Sequence, residues 1–348
     1  MEKIRLGKTN LICSRIGFGG IPLQRVSEEE GIAVVRHCLD MGINFFDTAT
    51  NYTTSEEHIG KAIKGYRRED ILIATKSHSR PPQELEKDLM QSLRRMDIDY
   101  IDLYQFHDVR DGEDTEQILK PGGTLEAVEK AKKEGLVRHI GVCAHRLHAA
   151  IALAKTGRFE TMQFPFNYIT DEAKDELIPL CKEMDIGFIV MKPLSGGILP
   201  NAVLGFKFLL QYPDILPIPG IQSIAEIDEI VAIEKSSQLT AGEMEEIERL
   251  RKELGKQFCR RCDYCQPCAA EINISDIMYS HTIWKRQPLQ KIFTGFFSKQ
   301  LEKVYDCMDC GLCEERCPFD LPIREIMAKN FELYLEQKRK WEEIQSKR

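Results

Sequence analysis

Two groups of residues in this 348-residue chain have the types and spacing to do chemistry. The first is a crowd of cysteines late in the chain. CRRCDYCQPC carries Cys259, Cys262, Cys265 and Cys268, and CMDCGLCEERCP carries Cys307, Cys310, Cys313 and Cys317. Thiolates so spaced are metal ligands or redox groups. Two four-cysteine zinc sites would be one use of them. Zinc ribbons favour pairs of C-x2-C across a longer gap, so four cysteines packed into about ten residues point instead to iron–sulfur. The second group is Asp47, Tyr52, Lys76 and His107. Each has an ordinary reading: a helix cap, a loop aromatic, a surface charge, a satisfied strand-end histidine. Together they are an acid, a phenol, an ammonium and an imidazole, which is a proton-handling set.

The elements that must position these groups alternate along the chain. Strand-length apolar runs are RIGFGG, INFFDT, ILIATK, YIDLYQFH, VRHIGVC, TMQFPFN, IGFIVM and ILPIPG. Segments with helical spacing lie between them, such as EEGIAVVRHCLDMG, QELEKDLMQSLRRM, GTLEAVEKAKKEG and TDEAKDELIPLCKEM. The eight repeats predict a parallel α/β sheet closed into a (β/α)8 barrel, a TIM barrel. Continuous apolar runs suit strands covered by helices. An open doubly wound sheet is the competitor, and the missing GxGxxG at the first strand–helix turn weakens it. KIRLGKTNLICS reads as a hairpin turning at Gly7 to Asn10 that caps the barrel bottom. Asp47, Lys76 and His107 each end a strand, and Tyr52 follows in the next loop. The C-terminal strand ends of a barrel are where its active site forms.

INFFDTATNY, then a strand-ending lysine, then LYQFH resembles the aldo/keto reductase family over about residues 1–250. In that chemistry hydride adds to a carbonyl carbon and the alkoxide needs a proton. A phenol with a pKa of about 10 is a poor donor until an ammonium stabilises its phenolate. The resemblance implies Tyr52 as general acid, Lys76 as its tuner, Asp47 as the partner of Lys76 and His107 as the group orienting the carbonyl. It also implies NADP(H) or NAD(H) lying across the barrel mouth without a Rossmann motif. Gln163 would hold the carboxamide. Lys192, Pro193, Leu194, Ser195 and Gly196 in KPLSGGIL would cover the pyrophosphate, and Gly220 and Ser223 in PIPGIQSIAEIDEI would line the phosphates. The chain also departs from the pattern. Cys143 and Ala144 replace a usual Ser and Asn, Met191 replaces a stacking tyrosine, and Glu226 stands where an arginine commonly meets the 2′-phosphate.

The second cysteine run has the C-x2-C-x2-C-x3-C-P form of bacterial ferredoxins. The first departs from it, with a last spacing of two and with Pro267 before the final cysteine. The tail resembles the ferredoxin-like extension of a subset of aldo/keto reductases, a small, mainly α-helical module. That resemblance implies two [4Fe–4S] clusters with exchanged ligands: Cys259, Cys262, Cys265 and Cys317 for one, Cys307, Cys310, Cys313 and Cys268 for the other. The shift in cysteine density puts the domain boundary between residues 254 and 255, giving a barrel at 1–254 and a two-cluster module at 255–348. LYLEQKRKWEEIQSK reads as a solvated or docking helix. Cys13, Cys38, Cys143 and Cys181 read as small apolar packers.

The formal net charge of −7 gives no electrostatic case for nucleic acid or an anionic membrane surface. MEKIRLGKTN lacks an apolar run of signal length, so a cytoplasmic location is expected, where thiols stay reduced. The expected function is interconversion of a small-molecule carbonyl and alcohol with a nicotinamide cofactor, the clusters relaying electrons. Hydride carries two electrons and each cluster one, and no flavin signature is present, so a redox protein is a candidate partner. The alternative is an electron-transfer or assembly subunit whose barrel is not a conventional reductase. The loop DVRDGEDTEQILKPGG after His107 is expected to wall the substrate pocket.

Overall fold

A computed structural model describes residues 1–110, 112–283 and 287–346. Asp111 of the loop after His107 and Lys347 of the expected C-terminal helix lie outside the described residues. The chain divides into two compact units, residues 1–240 and 241–348. The helix at 241–254, which the cysteine distribution leaves with the barrel, therefore groups with the cysteine-bearing unit.

The first unit opens with β1 (Lys3–Arg5) and β2 (Ile12–Ser14), an antiparallel hairpin pairing Lys3 with Ser14 and Arg5 with Ile12. There follow β3 (Phe18–Gly19), α1 (Glu28–Asp40), β4 (Phe45–Asp47), α2 (Ser55–Ala62), β5 (Leu72–Ser77), α3 (Pro82–Met96) and β6 (Ile101–Val109). The chain continues through α4 (Glu113–Leu119), α5 (Thr124–Lys133), β7 (Val137–Ala144), α6 (Leu147–Lys155), β8 (Thr161–Pro165) and α7 (Leu177–Glu183). It ends with β9 (Gly187–Met191), α8 (Ala202–Leu210), β10 (Ile215–Pro217) and α9 (Ile224–Glu234). β3 to β10 pair in sequence order, all parallel. Gly17 N donates to Pro217 O (2.9 Å) and Gly19 N to Pro219 O (2.7 Å), so the first strand meets the last and the barrel closes. All eight expected strands are present.

Local sequence explains the helices. α1 begins with a capping box, Ser27 and Glu30 satisfying each other's backbone N–H. α3 buries Leu85, Leu89, Leu93 and Met96, an apolar stripe with a turn's spacing, each leucine worth roughly 1.5–3 kcal/mol. TDEAKDELIPLCKEM is not one helix. It forms a 3₁₀ turn at Glu172–Lys174 and then α7, because Pro179 has no N–H to give a preceding turn and is tolerated only near a helix start.

Leu6 and Cys13 of the hairpin join Phe45, Leu72, Ala74, Leu103 and Ile189 in one core cluster, which plugs the barrel bottom. Gly7 makes this docking possible. Its φ is +50°, and a Cβ there would stand 2.2 Å from Gly187 N.

The second unit comprises α10 (Ala241–Leu254), α11 (Ile274–Ile283), α12 (Leu289–Thr294), α13 (Phe296–Glu302), α14 (Leu312–Glu315) and α15 (Ile323–Ser346). Its core gathers Ile274, Ile277, Met278, Phe293, Leu301, Met327, Phe331 and Tyr334. Asn330 Nδ2 ties α15 to α11 by donating to Ile277 O and Met278 O. The charged C-terminal helix is thus longer than expected. It begins at Ile323 and sets Ile323, Met327, Phe331 and Tyr334 at turn spacing into the core, while within LYLEQKRKWEEIQSK every described residue but Tyr334 is exposed or half-buried. Among the described residues no helix is long and apolar enough to cross a membrane.

Candidate active site and candidate metal centre

Strand periodicity builds the barrel mouth. Inward positions recur every second residue, running Phe45–Asp47 on β4, Leu72–Ala74–Lys76 on β5 and Leu103–Gln105–His107 on β6. The lower members are apolar and fill the core. The top members are polar, so chemistry begins where packing ends. Parallel register sets Asp47 beside Ala74 and Lys76 beside Gln105. The β6–β7 register shifts between Phe106 and Val109, and Asp108 takes φ +51°, a bulge directly after His107. Tyr52 lies in the β4–α2 loop, held by Tyr52 N to Ala49 O (3.0 Å) and Ser55 N to Tyr52 O (2.8 Å).

These four residues form one cluster. Lys76 Nζ donates to Asp47 Oδ1 at 2.5 Å and to Thr48 O at 2.8 Å, with both side chains buried. Lys76 Nζ stands 5.2 Å from the centroid of the Tyr52 ring. The Tyr52 and His107 rings meet edge to face at 5.8 Å. Burial pushes the Asp47 carboxyl up, against the downward pull of Lys76 and of the Gln105 and Gln163 amides. Burial, then the neighbouring His78 and Lys76, hold His107 well below the usual histidine range, so it is neutral at pH 7. Its Nδ1 is buried without a hydrogen-bond partner.

The cofactor candidates divide. Gln163 belongs to the cluster, because Gln105 Nε2 donates to Gln163 Oε1 (2.9 Å) and Asp47 Oδ2 (3.2 Å). Lys192, Pro193, Leu194, Ser195 and Gly196 form a tight loop after β9, with Lys192 at φ +56° and Ser195 at φ +48°. Asn167 Nδ2 anchors that loop on Lys192 O at 3.1 Å. Gly220 and Ser223 lie apart, in the β10–α9 connection. Gly220 bridges to Gly19, and Ser223 caps α9. Glu226 completes a capping box, its Oε2 accepting from Gln222 N (2.8 Å) and Ser223 N (3.1 Å). The two amides just ahead of the helix hold the Glu226 carboxylate, and the Glu226 N–H is given to Ser223 Oγ, so a negative charge already stands at this terminus.

Sequence reasoning missed Gln105, His78 and Asn167. Gln105 was signalled by its place two residues before His107 on a strand, hence on the same face. His78 stacks on His107, ring centroids 3.9 Å apart, and nothing in its local sequence announced that.

In the second unit the cysteines sort into two neighbourhoods. Cys259, Cys262 and Cys265 interact electrostatically with one another, and Cys262 also with Cys317. Cys268, Cys307, Cys310 and Cys313 line one cavity with Ala270, Ile272, Leu312 and Met327, and Cys265 reaches the same wall. The loops turn through left-handed residues, Arg261 and Asp263 in the first run and Asp309 and Gly311 in the second. Arg324 pins the second loop by bonding Asp309 (2.6 Å) and Glu314 (2.7 Å). Among the described residues, no three His, Cys, Asp or Glu side chains gather tightly enough to share a single metal ion. Burial pushes the Cys259 thiol up to about 12 and raises Cys262 and Cys265, so a cationic centre must draw off their protons. An all-thiol donor set beside an apolar wall fits an iron–sulfur cluster. The four cysteines of the first unit are all buried, with Cys13, Cys143 and Cys181 pushed up to about 12, as inert packers are.

The model of the aldo/keto reductase family matches residues 15–205, more than half of the chain. The chain belongs to the aldo/keto reductase family. It is an oxidoreductase of that type. The 4Fe-4S dicluster domain matches residues 258–322. L-galactose dehydrogenase of Arabidopsis thaliana is 32% identical over 217 residues, 57% of this chain and 67% of that relative. Aldo-keto reductase AKR11C1 from Bacillus halodurans, in its holo form, superposes with a TM-score of 0.63 at 27% identity, over 72% of this chain and 96% of that one. An aldo-keto reductase from Klebsiella pneumoniae in complex with NADPH superposes with a TM-score of 0.62 at 23% identity, over 72% of this aldo/keto reductase and 95% of the other, a likeness of fold.

Proposed function

We propose that this aldo/keto reductase interconverts a small-molecule carbonyl and its alcohol at the barrel mouth with a nicotinamide cofactor, and that its tail holds two [4Fe–4S] clusters. The observation that carries the reading is the buried Lys76 ammonium, fixed by Asp47 and Thr48 O and set against the Tyr52 ring. An ammonium so placed favours the phenolate, so the Tyr52 hydroxyl can give its proton to a developing alkoxide near neutral pH. Asp47 keeps Lys76 from wandering, and Gln105 fixes the other oxygen of Asp47. Neutral His107 orients the carbonyl oxygen by hydrogen bonding without adding a second charge. Bound nicotinamide supplies or accepts the hydride. Gln163, the Lys192–Gly196 loop, Gly220 and Ser223 are the residues that would hold the nucleotide. The Klebsiella neighbour was solved with NADPH. In this chain Glu226 puts a carboxylate where family resemblance places the 2′-phosphate, which weighs toward NAD(H).

Cys259, Cys262, Cys265 and Cys317 would hold one cluster, and Cys307, Cys310, Cys313 and Cys268 the other. Each cluster passes single electrons when bound. A reducing compartment, the cytoplasm, and a one-electron redox protein as partner follow from that chemistry. Anaerobic titration with NADH and then NADPH, followed by absorbance and EPR, tests the whole. Turnover of a carbonyl substrate that is lost in Tyr52→Phe is expected. Turnover unchanged by that substitution overturns the barrel chemistry. A preparation with full iron and no nucleotide binding would favour the electron-transfer subunit, the reading that the self-capped α9 terminus also supports.

A further inference from the structure

Four side chains from four strands are joined in one hydrogen-bonded row inside the barrel. Lys76 on β5 donates to Asp47 on β4. Gln105 on β6 donates from the same Nε2 to Asp47 Oδ2 at 3.2 Å and to Gln163 Oε1 on β8 at 2.9 Å. Gln105 is fully buried, and Asp47 and Gln163 are nearly so. Gln105 makes the longest reach, because β7 lies between β6 and β8. The residue of β7 in register with Gln105 is Gly141. A Cβ there would stand 3.2 Å from Gln105 Cγ and 2.0 Å from Thr161 Oγ1, so a side chain at this place would push the glutamine off its path.

A carboxylate only accepts, so the Gln105 amide must turn its nitrogen to Asp47, and the second hydrogen falls to Gln163. The fold tolerates a penalty for that orientation, since Gln105 Oε1 is buried with no hydrogen-bond partner. The order of the row follows. Lys76 anchors Asp47, Asp47 fixes the Gln105 amide, and Gln105 fixes the oxygen of Gln163. Asp47 also draws on the Gln163 amide. Gln163 is left with one hydrogen and one lone pair, a pairing set for a primary carboxamide. A free glutamine would present that set in many rotamers. Held by Gln105 it presents one, and a group already ordered binds without losing that freedom.

We infer that Gln105 is a positioning residue for the nicotinamide, holding the Gln163 amide in the orientation that takes the carboxamide, from the same Asp47 that holds Lys76. The ring that carries hydride and the ammonium beside Tyr52 thus share one anchor. The inference rests on Gln163 as the proposed partner of the carboxamide.

Calorimetric titration of the full-length, iron-loaded protein with NADH and with ADP-ribose tests it (NADPH and 2′-phospho-ADP-ribose where NADPH binds the tighter). ADP-ribose keeps the adenosine and the pyrophosphate and lacks the nicotinamide. Gln105→Met keeps the length of the side chain and loses both donor hydrogens. It is expected to weaken NADH by about fivefold, the loss of one neutral hydrogen bond, and to leave ADP-ribose within about twofold. Gln163→Met is expected to weaken NADH at least as much. Adding Gln105→Met to it should then change NADH affinity by less than about twofold, since Gln105 has nothing left to hold. Gln105→Asn, an amide one methylene shorter, should show the same pattern where Gln105→Met does not fold. NADH affinity unchanged by the Gln105 substitution, equal losses for NADH and ADP-ribose, or a loss that adds in full to that of Gln163→Met overturns the inference and leaves the nicotinamide reading standing. A parent protein that binds neither NADH nor NADPH overturns both.

Discussion

The barrel mouth and the cysteine module place reactive side chains by opposite means. At the mouth the scaffold is finished before anything binds. Lys76, Asp47 and His107 stand on strands whose lower positions are packed core, and every residue of β5 is buried. In the module all the sulfurs but that of Cys313, in α14, sit on loops with several left-handed residues, and Cys307 and Cys310 are exposed. Rigid strands can hold an ion pair buried. The loops hold thiols that burial, as at Cys259, keeps protonated until a metal centre claims them. We expect the barrel to own its geometry and the module to borrow part of its geometry from a bound metal centre.

The largest expected effect follows from that contrast. Removing iron by chelation, or substituting Cys313→Ser, should lower amide-exchange protection in α11 and α15 by about a hundredfold or more, as metal binding there is folding energy. Amides of β5 and β6 should keep their protection. Exchange mass spectrometry on both forms decides it. Unchanged protection in α11 and α15 would mean that Ile277, Met278, Phe331 and Tyr334 suffice as a core, and the contrast would break.

Next in size is Tyr52→Phe. The ring keeps its place against Lys76 and His107, so stability should change by no more than about 0.5 kcal/mol. The proposed proton donor is gone, so kcat should fall by about 10²–10⁴. Steady-state kinetics beside a urea titration separate the two. Lys76→Met tests the scaffold instead. It strands the Asp47 carboxylate in the core, and such breaks cost about 3–5 kcal/mol. Adding Asp47→Leu should recover much of that loss, since an apolar pair no longer needs its counter-charge. If Lys76→Met leaves stability intact, the mouth is less finished than the contrast requires.

What could be read in advance follows the same division. The eight strands were visible because each is an apolar run closed by a residue of another kind. Asp47, Lys76 and His107 were visible because the change from core to chemistry happens at a strand end. Gln105 was hidden inside LYQFH, where strand period alone would have found it. The stack of His78 on His107 depends on how a loop returns over a neighbouring strand, and no local pattern encodes that. Pro179 should have split TDEAKDELIPLCKEM. The sequence SIAE at Ser223–Glu226 is a capping box on its face, but resemblance drew attention to the phosphate instead. In the tail, spacing marked the candidate ligands. It could not reveal that α15 begins as core, because charged residues alternate with its buried stripe.

Acid should act on the mouth in a defined direction. His107 is held neutral in the folded protein, whereas in the unfolded chain it takes a proton below about pH 6.5. Its contribution to stability is therefore complete above that pH and is lost as the pH falls below it. The loss from one such group approaches about 1.4 kcal/mol per pH unit. His107→Gln should remove one proton's worth of slope between pH 6.5 and 5 in urea titrations. An unchanged slope would mean that solvent reaches His107 as freely as it reaches the module's loops.

The smallest effect sharpens the contrast at its one ambiguous place, the α9 terminus. Here the barrel, like the module, has a spot where a bound group could supply the stabilising charge, yet Glu226 supplies it from within. Glu226→Gln keeps an acceptor for Gln222 N and Ser223 N, so the cap weakens by no more than about 0.5–1 kcal/mol. It also removes a negative charge from the proposed 2′-phosphate position. Affinity for NADPH should then rise several-fold relative to NADH, about 1 kcal/mol for a partly exposed like-charge contact. Fluorescence titration of both nucleotides against both proteins measures the ratio directly. A ratio unmoved by the substitution would make Glu226 purely a helix cap, and nucleotide choice would have to be made elsewhere along the mouth.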